Sequence, residues 1–326
     1  MSAFLQSQRL PHPVRITEQV WPEGITPVVS VLCHTYQHVH FIRDAIEGFL
    51  MQETTFPVEI IIRDDASTDG TPEIVREYQE KFPQLIRTIL HSENQYSQGK
   101  KAFHETYAIA RGEFIALCEG DDYWISPEKL ERQVLTLTNN NYSGVFHSVI
   151  WVTETKQFIC SAPEPKNRRD VIFRDIMSSD VFISTCAFLF RKNVIKKDYF
   201  DLLKKCQIGD WPLFAYLSQN NKIAFIDNEM SCYRRHDKGM WTGLSEIKGL
   251  HIKCHTLETF IVFFGSKKTE NTKDEIKKLK YKIISIYINN NNLLKSFITF
   301  CKMNKAISGP SDFLSNLKNY LKIIIK

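Results

Sequence analysis

Glu113-Phe-Ile-Ala-Leu-Cys-Glu-Gly-Asp-Asp-Tyr-Trp124 joins an apolar run to an acidic turn. Phe114 to Cys118 has strand length and no polar alternation, the pattern of a strand buried on both faces. It ends at Glu119, Asp121 and Asp122, with Gly120 between them. Carboxylates crowded this closely raise one another's pKa. A hard divalent cation, which prefers oxygen ligands, relieves that repulsion. The plainer alternative is a solvated acidic turn that caps the next helix.

Working outward, the same design recurs. Val28-Val-Ser-Val-Leu-Cys33 is an apolar strand broken by His34-Thr-Tyr-Gln37, and Val39 to Met51 carries apolar residues at helical spacing. Val58 to Ile62 is a second strand, ending in Arg63-Asp-Asp-Ala-Ser-Thr-Asp-Gly70. Thr71-Pro72 predicts a helix start, with a capping hydroxyl and proline at the first helical position. Leu85 to Leu90 is a third strand, and Lys100 to Arg111 a helix stopped by Gly112 as a C-terminal glycine. Ser126-Pro127 opens another helix. Strand and helix thus alternate through residue 140 or so, which predicts an open, mostly parallel α/β sheet flanked by helices. Ligands of such sheets bind beyond the carboxyl ends of the strands. Three strands here end in polar clusters, at Thr35-Tyr36, Asp64-Asp65 and Glu119-Asp121-Asp122, and together these predict a shared crevice.

The middle of the chain is less regular. Gly144 to Val152, Cys186 to Phe190, Lys222 to Ile226 and Met230 to Tyr233 read as strands, and Asp210 to Leu217 as a helix with Asp210 as its cap. Beyond Gly249 the pattern is helical and lysine-rich. From Ser266 onward there are 13 lysines and 4 acidic residues, an excess of +9 against a whole-chain charge of +5. This tail predicts contact with an anionic membrane surface through Phe297-Ile-Thr-Phe300 and Leu321 to Ile325, or a helical lid or self-association surface.

Composition excludes several classes. The 326 residues are 43% hydrophobic and 24% charged, an ordinary globular balance. The eight cysteines form no C-x-x-C pair, so neither a zinc site nor a disulfide framework is expected, and a reduced, cytoplasmic protein is. No run of about 18 apolar residues is present, so no spanning helix is expected and any membrane contact is at the inner face. Met1 to Pro27 is polar and lacks a basic-then-apolar leader pattern. No nucleic-acid-binding module accompanies the basic tail, and no nucleic-acid partner is expected.

In order along the chain stand Pro27-Val-Val-Ser-Val-Leu-Cys-His-Thr-Tyr36, Glu59-Ile-Ile-Ile-Arg-Asp-Asp-Ala-Ser-Thr-Asp-Gly-Thr71, Gly112-Glu-Phe-Ile-Ala-Leu-Cys-Glu-Gly-Asp-Asp122 and Cys232-Tyr-Arg-Arg-His236. Together they resemble the family 2 glycosyltransferases of the GT-A fold, over residues 27 to 240. The resemblance implies a Rossmann-like GT-A domain over 27–248, with a nucleotide-sugar half (27–140) and an acceptor half (141–248). An N-terminal extension (1–26) precedes it and a helical C-terminal region (249–326) follows. It also implies a nucleotide-diphosphate sugar donor, UDP-linked by expectation, a divalent metal (Mn2+ or Mg2+), inversion at the anomeric carbon, and a glycan or lipid-linked glycan acceptor in surface polysaccharide synthesis. By the same resemblance Asp121 is the metal ligand, with His236 as a further contact and Arg234 or Arg235 adding charge. Asp122 and Glu119 lie by the donor with Gly120, Thr35 and Tyr36 flank the base or ribose, and Asp65 accepts from a uracil-type imide. Asp210 is the catalytic base. Gln37 stands where asparagine is usual and Glu119 where aspartate is.

Ser67 and Asp69 are read as shaping their turn with Gly70, and Lys100 and Lys101 as solvated or within reach of the diphosphate. Tyr123, Trp124 and Trp241 are either sugar platforms or core. His34, His38, His40 and His147 are assigned no role. A catalytically silent binding protein on the same fold is the main alternative, which the pairing of Asp121 with Asp210 disfavours. A sugar nucleotidyltransferase is a weaker one, since His34-Thr-Tyr-Gln37 is no glycine-rich phosphate loop.

Overall fold

A computed structural model of the protein describes residues 9–163, 167–178, 181–237, 239, 243–304 and 310–325. Contacts divide the chain into two compact units, one of residues 1–176, 180–204 and 209–236, the other of 177–179, 205–208 and 237–326.

The strands, in chain order, are β1 (Val14–Arg15), β2 (Val29–Thr35), β3 (Glu53–Thr54), β4 (Val58–Asp64), β5 (Ile86–Leu90), β6 (Phe114–Leu117), β7 (Tyr123–Trp124), β8 (Gly144–Thr153), β9 (Phe158–Ala162), β10 (Leu189–Arg191) and β11 (Ile223–Arg235). Helices of the same region are α1 (Ile42–Leu50), α2 (Thr71–Lys81), α3 (Ala102–Ile109), α4 (Lys129–Asn139), α5 (Phe173–Met177), α6 (Lys197–Lys205) and α7 (Asp210–Ser218). The main sheet runs β5-β4-β2-β6-β10-β8-β11-β7, with β9 paired to β8. β5, β4, β2 and β6 are parallel. β10 is antiparallel to both its neighbours, and β11 runs parallel to β8 with β7 antiparallel on its outer edge. This is the mixed α/β sheet expected, with the carboxyl ends of β2, β4 and β6 side by side.

Unbroken apolar runs became the central strands because both faces are covered. Val29, Val31, Leu32, Ile60, Ile61, Ile62, Phe114, Ile115 and Ala116 are all essentially inaccessible, and each large aliphatic side chain so buried contributes about 1.5–3 kcal/mol. The apolar face of α1 (Ile42, Ala45, Ile46, Phe49, Leu50) is buried in register with its helical spacing.

Three local expectations are corrected. Helix α3 ends at Ile109 with Ala110 extended, so Gly112 is no helix terminator. A Cβ there would lie 2.5 Å from the Ser30 amide nitrogen, and the glycine is required for the close approach of its segment to β2. At α2 the N-cap is Gly70 and Thr71 is the first helical residue; the Asp69 carboxylate accepts from the Thr71 amide at 3.0 Å and the Thr71 hydroxyl at 2.6 Å, and the Thr71 hydroxyl itself accepts from the His38 amide. The two short strands read at Lys222–Ile226 and Met230–Tyr233 are one strand, β11. It bridges Asp227-Asn-Glu229 by register shifts against β8, the signature of bulges that absorb extra residues. Edge strand β9 went unread, since Phe158, Ile159 and Cys160 are exposed and carry no burial pattern.

The second unit is helical: α8 (Glu246–Phe264), α9 (Thr272–Asn289), α10 (Leu293–Asn304) and α11 (Pro310–Ile325). Leu250, Cys254 and Ile283 form one core cluster, and Ile284, Phe300 and Tyr320 another. Among the described residues, no helix is long and apolar enough to cross a membrane.

Candidate functional site

Parallel pairing aligns the ends of β4, β2 and β6. Thr35 stands opposite Asp64, and Leu32 opposite Leu117, so the three polar clusters emerge at one sheet edge. Neighbouring strands are about 4.8 Å apart, which sets β4 and β6 roughly 10 Å from each other across β2. The antiparallel pair β7–β11, with Cys232 opposite Tyr123, then returns the chain to the acidic turn.

At the centre, Nε2 of His236 is 3.0 Å from Oδ2 of Asp121, and Nε2 of His38 is 3.6 Å from the same oxygen. Burial pushes the Asp121 carboxyl up in pKa, but the hydrogen bond from His236 and the charges of His38 and His236 outweigh it and hold the group below its ordinary value. His34 lies 3.6 Å from the half-exposed Glu119. Gly120 is held by its amide to the His34 carbonyl at 2.8 Å. A Cβ on Gly120 would fall 2.7 Å from Thr35 Oγ1 and 3.1 Å from His38 Nδ1, so only glycine lets the acidic turn settle on the β2 loop. The Thr35 hydroxyl beneath it and His38 Nδ1 have no hydrogen-bond partner among the described residues.

Asp122 turns inward. Its carboxyl accepts from the Arg234 amide at 2.8 Å. Burial, and then the charge of Asp121, push its pKa well above the ordinary value. Asp65 is buried as well, accepting from the amides of Gln95 and Tyr96 at 3.0 Å each and pairing with Arg63 at 3.0 Å. It thereby pins the loop after β5 to the end of β4, while Tyr36 is 46% exposed at the end of β2.

Asp210 opens α7, and its Oδ1 accepts from the Trp211 amide at 2.8 Å. Burial raises its pKa, the Trp211 amide opposes that, and the charge of Glu119 adds to the rise. Tyr233 records the same field: burial first, then the charges of Asp122, Asp121, Cys186 and Asp210, raise its phenol.

Other candidates separate. The Arg234 guanidinium is buried, 2.8 Å from Asp44 and stacked over Phe41 and Tyr123 at 4.6 and 5.0 Å. It is a structural clasp, and Arg235 is the exposed arginine of the pair. Trp124 is core, 2% exposed, with its indole N–H on the Cys186 carbonyl. Lys100 is exposed and donates to Gln95 Oε1 at 2.6 Å. Asp69 and Ser67 bind the amides of Val39 and Gln37 and shape the turn. Trp241 lies outside the described residues. Sequence reading missed His38 and His34. Their only signal was position, directly after β2 and opposite an acidic turn.

Among the described residues, no three His, Cys, Asp or Glu side chains form a metal site by themselves. Asp121 with His236 is a one-carboxylate, one-imidazole set. That fits ions such as Mg2+ that take one or two protein carboxylates and complete their shell with substrate phosphates and water.

Residues 30–198 match the family model described as glycosyl transferase family 2. An uncharacterised protein of Mycobacterium tuberculosis is 37% identical over 214 residues, 65% of this chain, and the match spans 60% of that relative's length. A putative teichuronic acid biosynthesis glycosyltransferase of Bacillus subtilis is 35% identical over 108 residues, 33% of this chain and 41% of its own. Among solved structures, S. aureus TarS in complex with UDP-GlcNAc is similar with a TM-score of 0.54 at 17% identity, over 91% of this chain and 90% of that one. A Pyrobaculum calidifontis mannosyltransferase in complex with GDP-Man and Mn2+ gives 0.53 at 15% identity, over 92% and 81%. The fold likeness agrees with the GT-A sheet described above, and with more than half of its residues under the family model, the chain belongs to glycosyl transferase family 2.

Proposed function

We propose that this protein is an inverting glycosyltransferase that moves a sugar from a nucleotide-diphosphate donor to a glycan or lipid-linked glycan acceptor in surface polysaccharide synthesis. The observation that carries the reading is the meeting of His236 with Asp121 at 3.0 Å, at the sheet edge where β2, β4 and β6 end. The relative named for teichuronic acid biosynthesis supports a polysaccharide acceptor. Neighbours solved with UDP-GlcNAc and with GDP-Man support a nucleotide-sugar donor of either base.

In this reading Tyr36 and Asp65 border the base and ribose, and Glu119 and Gly120 face the donor. Thr35 and Asp122, both buried, act from beneath by fixing the acidic turn. Asp121 and His236 would hold a divalent cation; a neighbour of the same fold was solved with GDP-Man and Mn2+. When bound, the ion neutralises charge on the departing diphosphate. The acceptor hydroxyl oxygen attacks the anomeric carbon opposite the diphosphate, the carbon–oxygen bond to the diphosphate breaks, and Asp210 takes the hydroxyl proton. Its raised pKa suits a proton acceptor, and its hydrogen bond to the Trp211 amide fixes its direction.

For the helical C-terminal unit we propose contact with anionic lipid. Leu293, Leu294, Phe297, Ile298, Leu321 and Ile324 are exposed among lysines, the composition of an interfacial surface.

A panel of UDP- and GDP-sugars, screened for thermal stabilisation with and without Mn2+, tests the central reading. Stabilisation by one class, strengthened by the ion, is the expected result. No response to any nucleotide sugar would overturn it.

A further inference from the structure

One face of β8 and β11 carries an aromatic cluster. Parallel register sets Tyr233 against Trp151, and residues paired across adjacent strands share a face. Phe182 completes a triangle: its ring centroid is 5.2 Å from that of Trp151 and 6.1 Å from that of Tyr233, with Trp151 and Tyr233 5.7 Å apart. This is no ordinary core cluster. Phe182 is 36% exposed, whereas Phe188 and Phe190 in the true core are at 0%.

Arg235 lies two residues beyond Tyr233 on the same strand, hence on the same face. Its guanidinium sits 5.2 Å from the Trp151 ring centroid, and it is exposed. Arg234, one residue earlier, is spent on Asp44 and two rings. Among the described residues no carboxylate pairs with Arg235. A guanidinium set against an indole, with no carboxylate partner among the described residues, can turn its donor fork to a planar or tetrahedral oxyanion. The patch adjoins the acidic turn, because the amide of Arg234, between Tyr233 and Arg235, donates to the Asp122 carboxylate at 2.8 Å.

We propose that this face is the acceptor subsite and that the acceptor sugar is anionic, its ring lying on Phe182 and Trp151 and its carboxylate or phosphate paired with Arg235. The inference rests on the glycosyl-transfer reading and narrows its substrate class. Aromatic faces suit the C–H surface of a sugar ring, and Arg235 supplies the selection that the aromatic rings lack.

The test uses the full chain and three probe glycosides, each in the gluco and galacto series: the neutral methyl glycoside, the methyl uronoside and the methyl glycoside 6-phosphate. Binding is read by saturation-transfer NMR titration, and UDP and GDP are titrated by calorimetry in parallel. At least one anionic probe is expected to bind about tenfold or more tightly than its neutral counterpart, the size of one charge-assisted pair; which of the two wins identifies the anion. Arg235→Gln should abolish that preference and leave nucleotide binding unchanged, Arg235→Lys should restore part of it, and Phe182→Leu should weaken all probes alike. Equal binding of neutral and anionic probes overturns the proposal. So does a loss of nucleotide affinity in Arg235→Gln, which would assign this arginine to the donor. Nucleotide binding with no anionic preference sinks only the acceptor inference, whereas wild-type protein that binds neither nucleotide sinks the glycosyl-transfer reading beneath it.

Discussion

Nε2 of His236 and Oδ2 of Asp121 are 3.0 Å apart, across 115 residues of sequence. The β7–β11 pair makes this meeting, since it runs Trp124 against Ser231 and so brings the last residues of β11 to the acidic turn. His236 is proposed as a ligand beside Asp121, and its loss should cost at least the about 10–100-fold in metal affinity that loss of a merely orienting partner typically costs. His236→Gln is therefore expected to weaken Mn2+-dependent donor binding by at least that factor, and Asp121→Asn by as much or more, with metal-free binding little changed. Calorimetry with and without Mn2+ reads both. Equal losses in the two conditions would make the pair purely structural.

Asp210 gives a second prediction. Its pKa is raised chiefly by burial, so the proton-accepting form gains population only above the ordinary carboxylate range. The rate should climb with pH through that raised value. Asp210→Asn should cut turnover by about 10²–10⁴-fold while leaving donor affinity intact, because only the proton acceptor is lost. The stability sign runs the other way. A carboxyl whose folded pKa exceeds its unfolded one contributes stability at low pH that is lost as pH rises through the folded value. Asp210→Asn should thus equal or exceed wild type in melting temperature at pH 7, with the gap closing near pH 4. A variant of normal turnover would reassign the base.

The sheet was legible because its central strands are apolar on both faces, a pattern that survives without any tertiary knowledge. The convergence of motifs at one edge followed from the parallel order. What stayed hidden depends on partners remote in sequence. Gly112 resembles a helix terminator until Ser30 is seen against it. Asp227-Asn-Glu229 looks like a turn until β8 pairs on both sides of it. His38 acquires meaning only from Asp121, and the two adjacent arginines Arg234 and Arg235 are equivalent until strand alternation sends one into the protein and the other to its surface.

Gly120 tests the seating of the acidic turn. An added Cβ would lie 2.7 and 2.8 Å from Oγ1 and Cβ of Thr35, closer than side chains tolerate. Gly120→Ala should destabilise by about 1–3 kcal/mol through overpacking and weaken donor binding by displacing Asp121. Adding Thr35→Ala removes one of the two clashing atoms, so a double-mutant cycle in urea should give a favourable coupling between the sites. Additive effects would mean that the turn yields elsewhere.

Lys129 offers a pH signature independent of catalysis. It is fully buried, with Nζ 2.8 Å from Gln133 Oε1 and 3.9 Å from the Trp124 ring centroid. Burial lowers its pKa to about 7, against smaller opposing effects of Cys118 and Cys186. Above that value the native lysine is neutral, while the unfolded chain keeps its proton to about pH 10.4. Between those limits the unfolded state binds more protons, so folding stability gains up to about 1.4 kcal/mol per pH unit from this residue. Lys129→Met lacks that gain. Its removal also strands Gln133 Oε1, a cost that does not change with pH, so the offset between the two proteins is uninformative and the slope is the observable. Urea denaturation from pH 6.5 to 9.5 should show wild type rising relative to Lys129→Met across the range. Parallel curves would mean that the buried ammonium keeps its charge, held by the indole face and the Gln133 amide oxygen alone.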